Sequence, residues 1–377
     1  MDNTALYQER FNRIKKVIAL EPVDRVPIVL QGSAFSARHY GMTMEEYCRK
    51  SNASLVTNLK TTADYGFDGA NLAGGGRITA LLTPMWLSRV GVPGKDLPAD
   101  SLWQVREAEV MTIEDYDTIL KTGFAKFLNS YLPRVINMWE FIPSMMWLGF
   151  NTKRIHNEYK KNGFVIVCDS AANMPTIPFE GLCGGRSMSK FYLDLYRIPD
   201  KVQAVMDVMI SETVATMGKL KPATGINATW VGGWRSASSL LAPKLWDRFV
   251  WPYILKLVDA LIAAGVVPVL HWDQNWSRDL ERLKELPAKK CILNPDGMTD
   301  MVKFKKLVGD RMAMMGDVPA SMLAAGTPAD VDKYVKERVE LFEGRGLILC
   351  PGCDAPINTK PENMRALVDA GHKYGTM

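Results

Sequence analysis

The residues with the clearest chemical potential close two apolar runs: Leu270-His271-Trp272-Asp273 and Cys350-Pro351-Gly352-Cys353. Side chains two positions apart on an extended strand share a face. His271 and Asp273 can therefore bring an imidazole and a carboxylate to one point, with the Cys353 thiolate arriving from the second run. Three donors of mixed N, O and S type with an open fourth position are the ligand set of a catalytic zinc, not a structural one, and zinc there acts as a Lewis acid. On spacing alone a histidine in an ordinary hydrogen-bonding role is the commoner outcome. Cys350 and Cys353 also form a Cys-x-x-Cys, but a redox pair needs an exposed low-pKa thiolate at a helix N-terminus, whereas this pair follows a strand.

Such a trio needs a scaffold in which strand ends converge. Eight short apolar runs are read as strands: 25–31, 68–73, 164–169, 227–231, 266–271, 291–294, 312–315 and 347–350. Helical periodicity covers 199–220, 243–264, 279–284, 301–308, 329–342 and 360–372. Strand–helix alternation calls for a parallel sheet with helices outside. An open doubly wound sheet alternates too, but no Gly-x-Gly-x-x-Gly turn follows an early strand, and Gly74-Gly75-Gly76 lacks the spacing. The predicted fold is therefore an α/β protein, a (β/α)8 TIM barrel of about 250 residues. The surplus lies in a leading segment, 1–24, with a helix from Asn3 to Leu20, and in a long insertion, 78–162.

Active sites of such barrels lie at the C-terminal ends of the strands. That rule places His271, Asp273 and Cys353 in the site and adds further candidates. Phe35, Trp230, Trp234, Trp272 and the Met- and Trp-rich patch 138–147 are candidate substrate walls. Arg235 or Arg38 is a candidate partner for a substrate carboxylate. Asp317 is a candidate substrate-facing residue and, with Asp169, a candidate to orient the imidazole.

Composition narrows the function classes. The chain has 377 residues, 23% charged and 47% hydrophobic, with a net charge of +5, and its Lys and Arg are scattered among acids, so nucleic acid is not an expected partner. The longest greasy stretch, 261–270, is too short for a bilayer, and the charged start lacks a secretory apolar run. A cytoplasmic location and six reduced or metal-binding cysteines are the expectation. Ten Trp and 21 Met suit a pocket for a flat ligand or an adaptable protein contact as well as they suit a large core.

Several ordered motifs resemble the uroporphyrinogen decarboxylase superfamily: Asp24-Arg25-Val26-Pro27, Leu241-Ala242-Pro243 with Trp251-Pro252-Tyr253, Val269-Leu270-His271, Met315-Gly316-Asp317-Val318, Gly326-Thr327-Pro328, and Pro351-Gly352-Cys353 through Pro361-Glu362-Asn363. The resemblance runs across most of the chain after Arg25 and is weakest over 78–162. It implies a (β/α)8 barrel, here a single barrel domain over 1–377. Two branches compete. The decarboxylases hold tetrapyrrole carboxylates with an Arg-rich loop after the first strand, and here that loop, 31–38, holds only Arg38. The other branch comprises zinc-dependent methyltransferases that work with corrinoid proteins. Their zinc motif resembles His271 and Cys353, with Asp273 standing where thiol-activating members carry Cys.

A carboxylate in place of one sulfur leaves a harder, more electrophilic zinc that suits an oxygen better than a thiol. The resemblance thus implies an enzyme that demethylates a methyl ether, an aromatic one in the first instance, and passes the methyl to the cobalt(I) of a separate corrinoid protein. Methyl transfer from the corrinoid to a thiol or a folate is the alternative, then tetrapyrrole decarboxylation, then a binding module for a corrinoid. No Asp-x-His-x-x-Gly segment is present, so cobalamin is expected on a partner. A homodimer stays open.

Overall fold

The computed structural model describes residues 2–72, 77–168, 175–217, 219 and 225–377. Ten strands are present among the described residues: β1 (Val29–Leu30), β2 (Gly69–Asn71), β3 (Val90–Gly91), β4 (Gln104–Val105), β5 (Val165–Cys168), β6 (Ala228–Gly233), β7 (Val267–Trp272), β8 (Ile292–Pro295), β9 (Ala313–Val318) and β10 (Leu347–Pro351). Eight of them form one parallel sheet in the order β1-β2-β5-β6-β7-β8-β9-β10. A parallel bridge from Ile28 to Leu349, with Leu349 N–H donating to Pro27 O at 2.9 Å, joins the last strand to the first. The sheet is thus a (β/α)8 barrel, built from the eight predicted runs in their predicted order.

Alternation along each strand sorts side chains into two layers. Val29, Val165, Val167, Ala228, Trp230, Val269, Ile292, Ala313, Met315, Ile348 and Cys350 fill the barrel. Their neighbours Leu30, Ile166, Val231, Leu270, Leu293, Met314 and Leu349 pack outward against the helices. On β7 this parity sends Val269 and His271 inward and Leu270 and Trp272 outward.

The helix Asn3–Ile18 places Tyr7, Ile14, Val17 and Ile18 in the interior cluster, plugging the end of the barrel from which the strands start. A charge network secures that plug. Asp68, just before β2, accepts from Arg25 at 2.7 and 2.5 Å and lies 3.2 Å from Arg10, while Arg13 binds Asp24 at 2.8 and 2.5 Å.

Two local expectations are corrected. The helix read over 243–264 is two, Pro243–Phe249 and Trp251–Ala263, broken at Val250 (φ −118°, ψ −65°). Pro252 supplies no N–H and restricts the residue before it, so a helix starts there more readily than it continues. The segment read as a helix over 279–284 is a 3₁₀ stretch, Ser277–Glu285. Between β2 and β5 the chain adds the β3–β4 hairpin and helices Ile78–Trp86, Ile113–Thr122, Phe124–Val135 and Met138–Lys161, the last of which feeds β5 directly. Gly74-Gly75-Gly76 and Asp169 lie outside the described residues.

Candidate metal centre

His271 lies near the end of β7, Asp273 follows it, and Cys353 stands two residues beyond β10. Their donor atoms come together: His271 Nε2 is 3.2 Å from Asp273 Oδ1 and 3.7 Å from Cys353 Sγ, and all three donors lie within 4.8 Å of one another. Among the described residues this is the group of metal-type side chains that could hold an ion. Its nitrogen, oxygen and sulfur fit zinc by donor chemistry.

Gly352 makes the approach of Cys353 possible. A Cβ there would lie 2.7 Å from the backbone carbonyl of Asp296, so only glycine lets the β10 loop pass. Its N–H donates to Val318 O at 2.8 Å, and Asp354 on the other side accepts from Ser33 N–H at 2.7 Å. Cys353 is thereby fixed from both flanks.

The imidazole is oriented by an amide. His271 Nδ1 lies 2.8 Å from Asn294 Oδ1, while Asn294 Nδ2 donates to Met315 O at 2.7 Å. Because Nδ2 is committed to a carbonyl, Oδ1 is the acceptor and the proton sits on His271 Nδ1. Nε2 then faces Asp273 and Cys353. The chain of amides continues across the mouth: Asn71 Nδ2 reaches Asn294 Oδ1 at 3.4 Å and Gln31 Oε1 at 2.7 Å.

Burial acts on all three donors, and the charges answer it. Burial pulls the His271 pKa down, yet the Asp273 carboxylate and the Cys353 sulfur outweigh it and hold the ring well above its ordinary value. Burial pushes Asp273 up, but the facing imidazolium holds it below the usual carboxylate range. The Cys353 thiol is pushed up by burial and by Asp273, and its hydrogen bond to His271 offsets only part of this.

An aromatic wall stands beside the pair. Trp230, inward on β6, stacks on His271 with ring centroids 5.1 Å apart. Trp86 meets Trp230 edge-on at 6.1 Å and stacks on Trp234 at 5.4 Å. The Arg235 guanidinium lies 4.3 Å from the Trp234 ring centroid and pairs with Glu107 at 3.2 Å. Three buried N–H donors along this wall have no partner among the described residues: Trp230 Nε1, Trp234 Nε1 and an Arg235 Nη1 group.

The other candidates fall elsewhere. Phe35 is buried between Tyr65 and His39, at 5.5 and 5.3 Å, in the outer layer. Trp272 points outward by strand parity and stacks on Trp276 at 4.2 Å. Asp317 is not beside the imidazole either. Its carboxylate is taken by Arg338 of the outer helix Pro328–Phe342 at 2.9 Å, and Asn294 fills the orienting role. Arg38 is exposed in the last turn of the helix Ser33–His39. In the patch 138–147, Trp139, Ile142 and Met146 face solvent. Cys350 is buried inside the barrel and its thiol donates to Pro351 O at 3.0 Å, so it is no partner for Cys353. Asn294, Trp86 and Glu107 escaped the sequence reading: an Asn inside an apolar run and residues of the insertion carry no spacing signal.

A parallel eight-stranded barrel with polar donors gathered at the C-terminal ends of its strands is the layout of a barrel enzyme. The uroporphyrinogen decarboxylase (URO-D) family profile matches residues 175–374, and the chain belongs to that family. A uroporphyrinogen decarboxylase of Pseudoalteromonas atlantica is 31% identical over 151 residues, a stretch that spans 39% of each chain. One of Geobacter metallireducens is 23% identical over 372 residues, covering 94% of this chain and 96% of that one. Among solved structures, a methyltransferase from Methanosarcina mazei superposes with a TM-score of 0.71 at 18% identity, over 97% of this chain and 98% of that one. That likeness is one of fold. No helix among the described residues is long and apolar enough to cross a membrane.

Proposed function

We propose that this chain is a zinc-dependent methyltransferase that demethylates a methyl ether, in the first instance a methoxylated aromatic, and hands the methyl group to the cobalt(I) of a corrinoid on a separate protein. The observation that carries the reading is the meeting of His271 Nε2, Asp273 and Cys353 at the barrel mouth. A shared fold with the M. mazei methyltransferase accords with it. His271, Asp273 and Cys353 would hold the metal, which when bound supplies Lewis acidity to a departing oxygen.

The chain's own residues do the rest. Asn294 keeps the Nδ1 proton on His271, so Nε2 stays directed at the site. Trp230 and Trp86 offer a flat wall beside His271 for an arene, and aromatic walls exclude water from a charge-separating step. Trp234 and Arg235 add N–H donors without partners among the described residues, suited to an acceptor oxygen on the methyl donor and unsuited to a methylammonium, since a guanidinium already covers the Trp234 face. Decarboxylation of a polycarboxylate fits less well. Several charge-assisted pairs would be needed, and the one arginine of the loop after β1 faces solvent.

Metal analysis of the purified protein, joined to methylation of a reduced corrinoid protein over a panel of methoxyarenes and methylamines run in both directions, tests the proposal. About one zinc per chain is expected, lost in His271→Ala and Cys353→Ala, with methoxyarenes active and methylamines inert. A metal-free protein whose Cys353→Ala variant keeps full activity would reject it.

A further inference from the structure

The helix Met138–Lys161 exposes an apolar stripe that the barrel does not use. Trp139 is 91% exposed, Ile142 51%, Met146 55% and Phe150 80%. At about 100° per residue, spacings of three, four and four keep these side chains within an arc of about 80°. Pro143 is exposed beside this arc, and a Cβ added at Gly149 would meet nothing within 4 Å, so no described residue covers the stripe there. A Trp and a Phe this bare on one helix face mark an interaction surface rather than normal surface scatter.

The surroundings are cationic. Trp139 also lines a cavity of about 800 Å³ between this helix, the helix Ile78–Trp86 and the β3–β4 hairpin. Three arginines in that cavity have no carboxylate partner among the described residues. Arg77 donates to Ser51 Oγ and Ser144 Oγ at 3.1 and 3.0 Å, while Arg89 and Arg106 reach only the backbone oxygens of Arg134 and Asp96. Of the three acids lining it, Glu45 and Glu140 are paired with Arg49 and Lys95 and Asp96 accepts from the Val92 N–H at 3.1 Å, against five Lys and Arg side chains. At the other end of the stripe stand exposed Lys153 and Arg154, whose guanidinium packs over Trp147.

The geometry points to a docking surface for a protein partner that presents an acidic amphipathic helix, its apolar ridge on Trp139, Ile142, Met146 and Phe150 and its acids on the flanking cations. Trp, Met, Phe and Arg are the residues enriched at interface cores, and an apolar helix face with charged flanks is read at i, i+3, i+4 and i+7 positions. A second copy of this chain does not fit. A two-fold axis across the stripe would bring the Lys153–Arg154 end of one copy onto the arginine cavity of the other, cation on cation. A small anion would leave the stripe unused. The surface lies outside the metal centre, and the inference stands apart from the methyl-transfer reading.

The test uses two fluorescein-labelled, lactam-stapled peptides of about 18 residues, with leucines at the i, i+3, i+4 and i+7 positions and flanks of Glu in one and Lys in the other. Fluorescence anisotropy is read with the full-length protein at low and at raised salt. The Glu peptide is expected to bind at least about tenfold tighter than the Lys peptide and to weaken with salt. Trp139→Ser with Phe150→Ser should weaken it by about tenfold or more, and Arg77→Gln with Arg106→Gln should flatten the salt dependence. Trp139, Phe150 and Arg106 are exposed and Arg77 is half-buried, so a melting curve run on each variant certifies its fold. Equal binding of the two peptides, or none, overturns the inference. So does self-association in sedimentation that Trp139→Ser abolishes.

Discussion

Asn294→Leu tests whether an amide from β8 sets up the metal centre. The side chains are nearly equal in size, so the change removes hydrogen bonding with little loss of packing. His271 Nδ1–H loses its acceptor at 2.8 Å and Met315 O loses its donor at 2.7 Å, both in a fully buried setting. Each unmet buried group costs about 1–3 kcal/mol, so the metal-free protein should lose about 2–6 kcal/mol in urea denaturation. Zinc affinity falls for a separate reason. An imidazole no longer held at Nδ1 can rotate or carry its proton on Nε2, and removing such an orienting partner costs about 10- to 100-fold. Competition with a chromophoric chelator measures this on the folded protein. Asn294→Asp serves as the companion variant: it keeps an acceptor for Nδ1–H while losing the bonds to Met315 O and Cys350 Sγ, so it should retain zinc within about tenfold of the parent. Parental zinc affinity in Asn294→Leu would refute the argument, because His271 would then reach the ion without the Nδ1 contact or not reach it at all.

Gly352→Ala should drive a methyl into the Asp296 backbone, 2.7 Å away, and push Cys353 off the site; zinc content should drop with a stability loss of about 1–3 kcal/mol, and full zinc occupancy would contradict the close-approach argument. Arg338→Met strips the buried Asp317 carboxylate of its partner and should cost about 3–5 kcal/mol, yet zinc binding by the folded protein should not change; a loss of zinc at constant fold would return Asp317 to the site. Hydrogen bonds from Arg13 hold Asp24 down to about 2, below its unfolded value of about 4. The stability this lends is complete above pH 4 and is lost as pH falls through 2, so Asp24→Asn should flatten acid unfolding between those limits. Solvent screening of this mostly exposed carboxylate keeps the effect below about 1 kcal/mol, and an unchanged acid limb in urea titrations would show that the Arg13 pair contributes nothing.

The barrel was legible because each strand is a short apolar run bounded by turn residues, and eight such runs between helices leave few topologies. Less could be read of facing. Trp272 adjoins His271 in sequence and looks like part of the site, but strand parity sends its ring to the helix layer. Phe35 follows β1 closely, yet the helix Ser33–His39 turns it into the outer core beside Tyr65. Asp317 satisfies the rule that strand ends carry function, and the rule cannot see that Arg338, 21 positions later, claims its carboxylate. Asn294 escaped for the opposite reason: inside Cys291-Ile292-Leu293-Asn294 an amide reads as the polar end of a strand, and only the closed barrel shows it spanning β7, β8 and β9.

The trio itself was readable since its members sit where alternation is reliable. His271 and Asp273 are two apart, and Cys353 follows a strand that pairs with β9. What the sequence lacked was the electrostatic state. A buried imidazolium facing a carboxylate is costly to desolvate and is retained where its groups gain something in return. Here the Asp273 charge that raises His271 is also a ligand-type oxygen, and the thiol that shares the hydrogen bond is a ligand-type sulfur. His271 Nε2, Cys353 Sγ and the Asp273 carboxylate would hold a doubly charged ion in place of the protons on Nε2 and Sγ. The same positions filled by a merely structural histidine would call for one acceptor, which Asn294 already provides. The contacts of Nε2 with Asp273 and Cys353 go beyond what Asn294 needs to orient the ring, and the proposed zinc site gives them a use.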